Sequence, residues 1–114
     1  MKNPANPGEA RTFDFRAPRF CASFHFFLEV HTPPTRYDAV CVDIGMDGLA
    51  ADLTQTLDPT TRVMLWLLFP GETVPVRIQA TVEYRREKRH GFNFLYSSPA
   101  QRASVEAFIQ SLQG

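Results

Sequence analysis

Three arginines and one aspartate are the residues with the most chemistry to offer. Arg11, Arg16 and Arg19 lie in RTFDFRAPRF, and Asp43 lies in VDIGMDGLAADL, residues 42–53. Guanidinium groups are planar forks that match phosphate oxygens and the O6/N7 edge of guanine, and they stack on flat bases. Asp43 ends an apolar run, Gly45 and Gly48 follow it, and the chain then turns apolar again. A carboxylate beside two glycines suits a ligand that needs an acceptor and a bare backbone at one edge of a sheet. A plain hairpin needs only the glycines, which permit positive φ and close approach. The arginines, taken alone, read first as ordinary surface charges pairing with Asp14 or Glu9.

Other candidates carry less. His25, His31 and His90 are scattered over a strand, a loop and a turn without metal-ligand spacing, and are expected to be surface or partly buried polar residues. No serine sits in a nucleophile elbow and no glycine-rich strand-to-helix turn cradles a phosphate, so no enzyme is expected. Arg85, Arg86, Lys88 and Arg89 are dense but interleaved with Glu83 and Glu87. They read as a solvated hairpin tip whose charge discourages edge pairing, and nucleic acid is not the expected partner. Twelve basic and twelve acidic residues cancel, so any anionic ligand must be held by a local cluster. Cys21 and Cys41 make neither a disulfide framework nor a zinc motif. Both are expected as small buried hydrophobes in a reducing compartment, with a bridge between neighbouring strands as the alternative. No signal segment or membrane-length apolar run stands out, so a cytoplasmic location without membrane insertion is expected.

The elements that must position these residues are mostly strands. At 114 residues, with 44% hydrophobic and 21% charged, the chain fits one domain over 10–114 after a flexible tail, MKNPANPGE, at 1–9. Phe20, Ala22, Phe24, Phe26, Leu28 and Val30 alternate as the core face of a first strand. HTPPTRYD (31–38) is expected to break it, since proline cannot donate to a ladder. A second strand follows at 39–44, with Val40, Val42 and Ile44 on one face and Asp43 on the other. A third begins near Leu49. RVMLWLLF (62–69) reads as a strand covered on both faces, closed by a turn at Pro70-Gly71-Glu72-Thr73. Alternation from Val74 to Tyr84 gives the next strand, Arg85–Gly91 a turn, and Phe92, Phe94 and Tyr96 begin the last. Ser98, Pro99 and Gln101 mark a helix start, and Val105, Phe108, Ile109 and Leu112 form its apolar stripe. The sum is a mainly β protein, about six antiparallel strands in a closed or nearly closed barrel, plugged or flanked by the helix.

Arginines before the first strand, followed by VDIGMDGL on the second, resemble the PilZ family of bacterial cyclic di-GMP receptors. RAPRF, VMLWLLFPG, HGFNF and SSPAQR with the terminal helix follow the family's order, so the likeness spans residues 10–113. It implies a six-stranded antiparallel barrel with a C-terminal helix. Two family motifs are altered. In RxxxR, Arg19 fits the second arginine but Phe15 stands four before it, with Arg16 one residue later. In D/NxSxxG, Asp43 and Gly48 match and Gly45 replaces serine. Losing a neutral hydrogen bond costs about 0.5–1.5 kcal/mol, and losing a charge-assisted arginine contact about 1.5–3 kcal/mol. The resemblance implies cyclic di-GMP as ligand, with Arg11, Arg16, Arg19, Asp43, Gly45 and Gly48 at the site, and a protein partner that receives the signal. The alternative it implies is an interaction module, related to type IV pili or motility, that no longer binds the nucleotide. Its contact patch would be Phe13, Phe15 and Phe27.

Overall fold

The structure, a computed structural model, describes residues 17–31 and 34–113. The expected tail at 1–9 lies outside them, as do Arg11, Phe13, Phe15 and Arg16. Six strands form: β1 Phe20–His31, β2 Pro34–Ile44, β3 Gly48–Asp52, β4 Arg62–Leu67, β5 Val76–Arg86 and β6 Arg89–Leu95. One helix, α1 Pro99–Gln113, follows. All pairings are antiparallel and the ladder closes in the order β1-β2-β3-β6-β5-β4. Closure leaves no unpaired edge, the usual liability of an exposed sheet. Among the described residues no helix is long and apolar enough to cross a membrane.

The interior follows the period-two pattern. Ala22, Phe24, Phe26 and Leu28 of β1, Val63, Leu65 and Leu67 of β4, Ile78, Ala80 and Val82 of β5, and Phe92 and Phe94 of β6 all point inward and are buried. The helix closes one mouth: Phe108 stacks on Phe69 at 4.4 Å and meets Phe24 edge-on at 5.4 Å. Its start is built as the sequence marks it. Ser98 Oγ accepts from the Gln101 amide, and Gln101 Oε1 accepts from the Ser97 amide. Val105, Phe108 and Ile109 are buried, whereas Leu112, the last member of the expected stripe, remains 37% exposed.

Several strand expectations need correction. The prolines after His31 do not end the sheet, because Pro34 takes the first position of β2, where the missing N–H breaks little of the ladder, and Thr35–Asp38 pair with β1. β4 is not covered on both faces: Val63, Leu65 and Leu67 are inside, while Met64 and Trp66 are half-buried outside. β5 starts at Val76, leaving Val74 71% exposed in the preceding connection. There the chain folds over a Phe69–Glu72 turn with Gly71 at φ +91°, as a type II turn requires. The turn expected over 85–91 shrinks to Glu87-Lys88; Arg85 and Arg86 extend β5, and Arg89–Gly91 open β6. A register shift between Val82 and Tyr84 ends the alternation and turns Tyr84 outward.

His90 and Cys21 exchange their expected places. His90 is fully buried at the far mouth. Its Nδ1 donates to the Lys88 carbonyl at 2.9 Å and its Nε2 accepts from the Leu57 amide at 3.2 Å, which holds the β3–β4 connection across the barrel floor. Cys21 is exposed because it is an odd position of β1; Cys41 is buried, and both are free thiols.

Two substitutions test this architecture in denaturant titrations. His90→Leu keeps the volume but strands the Leu57 N–H, and is expected to cost about 1–3 kcal/mol. Gly48→Ala sets a methyl 2.0 Å from the Phe92 carbonyl oxygen, which is backbone and cannot yield freely. A loss of about 2–3 kcal/mol is expected, as for other overpacked sites.

Candidate functional site

Asp43 reaches the surface through a β-bulge. Ala39 and Cys41 face the core, and strict alternation would send Asp43 inward after them. Between Cys41 and Asp43 the register with β3 shifts by one residue. Val42 is the extra residue, so parity resets: Ile44 turns into the core at 0% exposure and Asp43 turns out. The expectation that Val40, Val42 and Ile44 share a face is therefore wrong, although its consequence for Asp43 holds. On the neighbouring strand Cys21 pairs with Asp43, which places the lead-in to β1 directly beside the carboxylate.

Arg19 meets it there. Its Nη1 donates to Asp43 Oδ1 at 2.9 Å and to the Gly48 carbonyl at 3.4 Å. Its Nε stands 3.7 Å from Asp47 Oδ1. The Arg19 and Asp43 side chains are 25% and 33% exposed, so the pair is half-solvated and contributes little to stability, typically about 0.2–1 kcal/mol. What it provides is position.

Gly45 and Gly48 act through close approach, not positive φ. A Cβ on Gly45 would lie 2.6 Å from the Pro18 carbonyl oxygen and 3.1 Å from Arg19 Cδ, so the missing side chain is what lets the lead-in lie flat on the turn. Gly48 packs equally tightly against the Phe92 backbone. The turn is pinned further by Gly45 N–H to the Gly48 carbonyl at 2.8 Å and Phe94 N–H to the Asp47 carbonyl at 2.9 Å. The Tyr96 hydroxyl donates to the Met46 carbonyl at 2.6 Å. Burial pushes the Tyr96 phenol up to about 12 against the lowering effect of Arg102, whose guanidinium lies 5.0 Å over the ring; Asp47 adds to the rise.

Sequence reasoning missed Asp47. Its Oδ1 is buried, has no hydrogen-bond partner among the described residues, and faces Arg19. The signal was available as a second carboxylate four residues after Asp43, in the turn that follows β2. Two carboxylates thus share one described guanidinium. Cys41 is no nucleophile: burial, and then the Asp43 charge, push its thiol up to about 12. Among the described residues no group of three or more His, Cys, Asp or Glu side chains could hold a metal ion.

The structure therefore brings Arg19, Asp43, Gly45 and Gly48 together; Arg11 and Arg16 lie outside the described residues. A well-formed concavity lies elsewhere. A groove of ≈ 680 Å³ runs between α1 and the β4–β5 connection, with Phe69, Val74, Val76, Ala103 and Phe108 among its lining. Neither Arg19 nor Asp43 borders it. We place the candidate site at the Arg19–Asp43 cluster, since that is where complementary charge and bare backbone converge. The basic hairpin is partly neutralised. Arg89 donates to Asp52 at 2.5 Å, a hydrogen bond that holds the Asp52 carboxyl below its usual value and raises Arg89.

Comparison with known proteins agrees with this architecture. The crystal structure of the PilZ domain of CeSA from a cellulose-synthesizing bacterium superposes with a TM-score of 0.72 at 19% identity, over 86% of this chain and 100% of that one. YcgR from Escherichia coli in complex with c-di-GMP gives 0.66 at 21% identity, over 86% of this chain and 45% of that one. The PilZ domain of the same protein with c-di-GMP gives 0.66 at 17%, over 86% and 90%. Comparison with curated proteins found no match. The family model described as the PilZ domain matches residues 13–111, nearly the whole barrel and its helix, and the chain belongs to that family.

Proposed function

We propose that this chain binds cyclic di-GMP at the mouth of the barrel where Arg19 and Asp43 meet, and relays the binding event to a protein partner in the cytoplasm. The observation that carries this reading is the 2.9 Å contact between Arg19 and Asp43, from two segments 24 residues apart, beside the bare backbone of Gly45 and Gly48. Arg19 supplies a fork for a phosphate or for the O6/N7 edge of guanine. Asp43 is an acceptor for the N–H groups of a guanine, and the glycines leave room for a flat base against the turn. Arg16 and Arg11, in the sequence before Ala17, add cations for the phosphates. Gly45 in place of serine removes one polar contact, a loss on the order of tenfold in affinity. Relatives with solved structures carry c-di-GMP, which supports the choice of ligand.

A second reading, a protein-interaction module without the nucleotide, draws on the outer face of the barrel. Arg36 lies 4.1 Å over the Phe27 ring, Phe27 stacks on Trp66 at 5.4 Å, and Arg77 lies 5.2 Å over Trp66. Tryptophan, phenylalanine and arginine are residue types on which interfaces concentrate their binding energy. Phe15 in place of an arginine favours the same reading. Phe13 and Phe15, the other members of the expected patch, lie outside the described residues.

Isothermal titration with cyclic di-GMP separates the two. Heat is expected at roughly tens of micromolar ligand. Arg19→Ala should weaken binding by about ten- to a hundredfold and Asp43→Asn by about tenfold. No heat with the unaltered protein in that range retires the receptor reading. If Arg16→Ala with Arg19→Ala abolishes nucleotide binding but spares a captured partner, the two surfaces are separate.

A further inference from the structure

We infer that Asp47 is a built-in competitor for Arg19, one that limits how tightly an anionic nucleotide can be held at this mouth; the inference rests on the receptor reading above. Three observations carry it. Arg19 is committed on two sides, to Asp43 through Nη1 at 2.9 Å and to Asp47 across 3.7 Å from Nε. Asp47 Oδ1 is buried and accepts no hydrogen bond among the described residues, so the guanidinium is its compensation. Asp47 also cannot retreat with its backbone. Its carbonyl accepts from Phe94 N–H, the Met46 carbonyl accepts from the Tyr96 hydroxyl, and Gly48 is wedged against Phe92.

Charge balance gives the direction. Two carboxylates around one guanidinium leave the described part of the site with one net negative charge. A ligand phosphate gripped bidentately by Arg19 competes with one acid or the other, since one edge of the fork includes Nη1, held by Asp43, and the other includes Nε, beside Asp47. Asp43 then gains guanine N–H donors in exchange, but the buried Asp47 Oδ1 has no replacement among the described residues, and Asp47 faces the incoming phosphate as a like charge. Gly45 makes the arrangement possible, because with no side chain there the Pro18–Arg19 backbone lies close enough for Nε to approach Asp47. Asp47 thus acts on affinity through Arg19; it is a positioning and tuning residue and not itself a contact for the ligand.

Two acids four residues apart, one near the end of β2 and one in the turn that follows, should therefore respond oppositely to the same change. Asp47→Asn keeps the shape and removes the charge, and cyclic di-GMP should bind about three- to tenfold tighter in calorimetry. Asp43→Asn should bind more weakly. Removing a repulsion that salt also screens leaves attraction alone, so affinity of the Asp47→Asn protein should fall more steeply between low and moderate salt than that of the unaltered protein. Asp47→Gly, which deletes the side chain, should move affinity in the same direction as Asp47→Asn and guards against an effect peculiar to the amide. If the unaltered protein binds and neither Asp47 variant is tighter, the inference falls and the receptor reading stands. If no variant binds, both fall together.

Discussion

The arrangement depends on one extra residue in β2. A strand alternates its side chains without exception unless the ladder is interrupted, and Ala39 and Cys41 are committed to the core. Carried on unbroken, that alternation would bury the Asp43 carboxylate among phenylalanines and expose Ile44. Either outcome is costly, since an unpaired buried charge is tolerated poorly and a large aliphatic side chain would be lost from the interior. The bulge at Val42 avoids both. It also bends the strand where bulges tend to be found, at the rim of a barrel beside a functional site.

Around that bulge the mouth is assembled from backbone more than from side chains. The lead-in to β1 rests on Gly45, the turn rests on Phe92 through Gly48, and Phe94 and Tyr96 hold Asp47 and Met46 by their carbonyls. Such contacts fix the backbone on which Asp47 stands, and Arg19 reaches both acids from the lead-in to β1. Two acids and one guanidinium thus meet over a backbone that is held by its own hydrogen bonds. The helix packs across the same end of the barrel through Phe108 on Phe69 and Phe24.

The opposite mouth is closed by different means. Leu53 and Leu57 turn into the core from the β3–β4 connection, and His90 accepts the Leu57 amide that would otherwise be stranded. A histidine in a run of arginines looks like a surface residue because its neighbours are charged. Its parity with Phe92 and Phe94 is what puts it inside, and that parity shows only once the hairpin tip is known to be as short as Glu87-Lys88.

By itself the sequence determined the six strands, the helix with its Ser98 and Gln101 start, and the family. Alternation, turn residues and capping residues are local signals, and local signals are enough for elements and their order. It also brought forward Arg19, Asp43, Gly45 and Gly48 as partners, through their resemblance to a family pattern. Only the tertiary structure decided which face each residue takes on β2 and β4, that Thr35–Asp38 join the sheet, and that Asp47 shares Arg19. Bulges, pairing register and charge sharing arise between segments far apart in the chain. A one-residue change of register moves every following side chain to the other face, and nothing in the local pattern of β2 marks where that shift occurs.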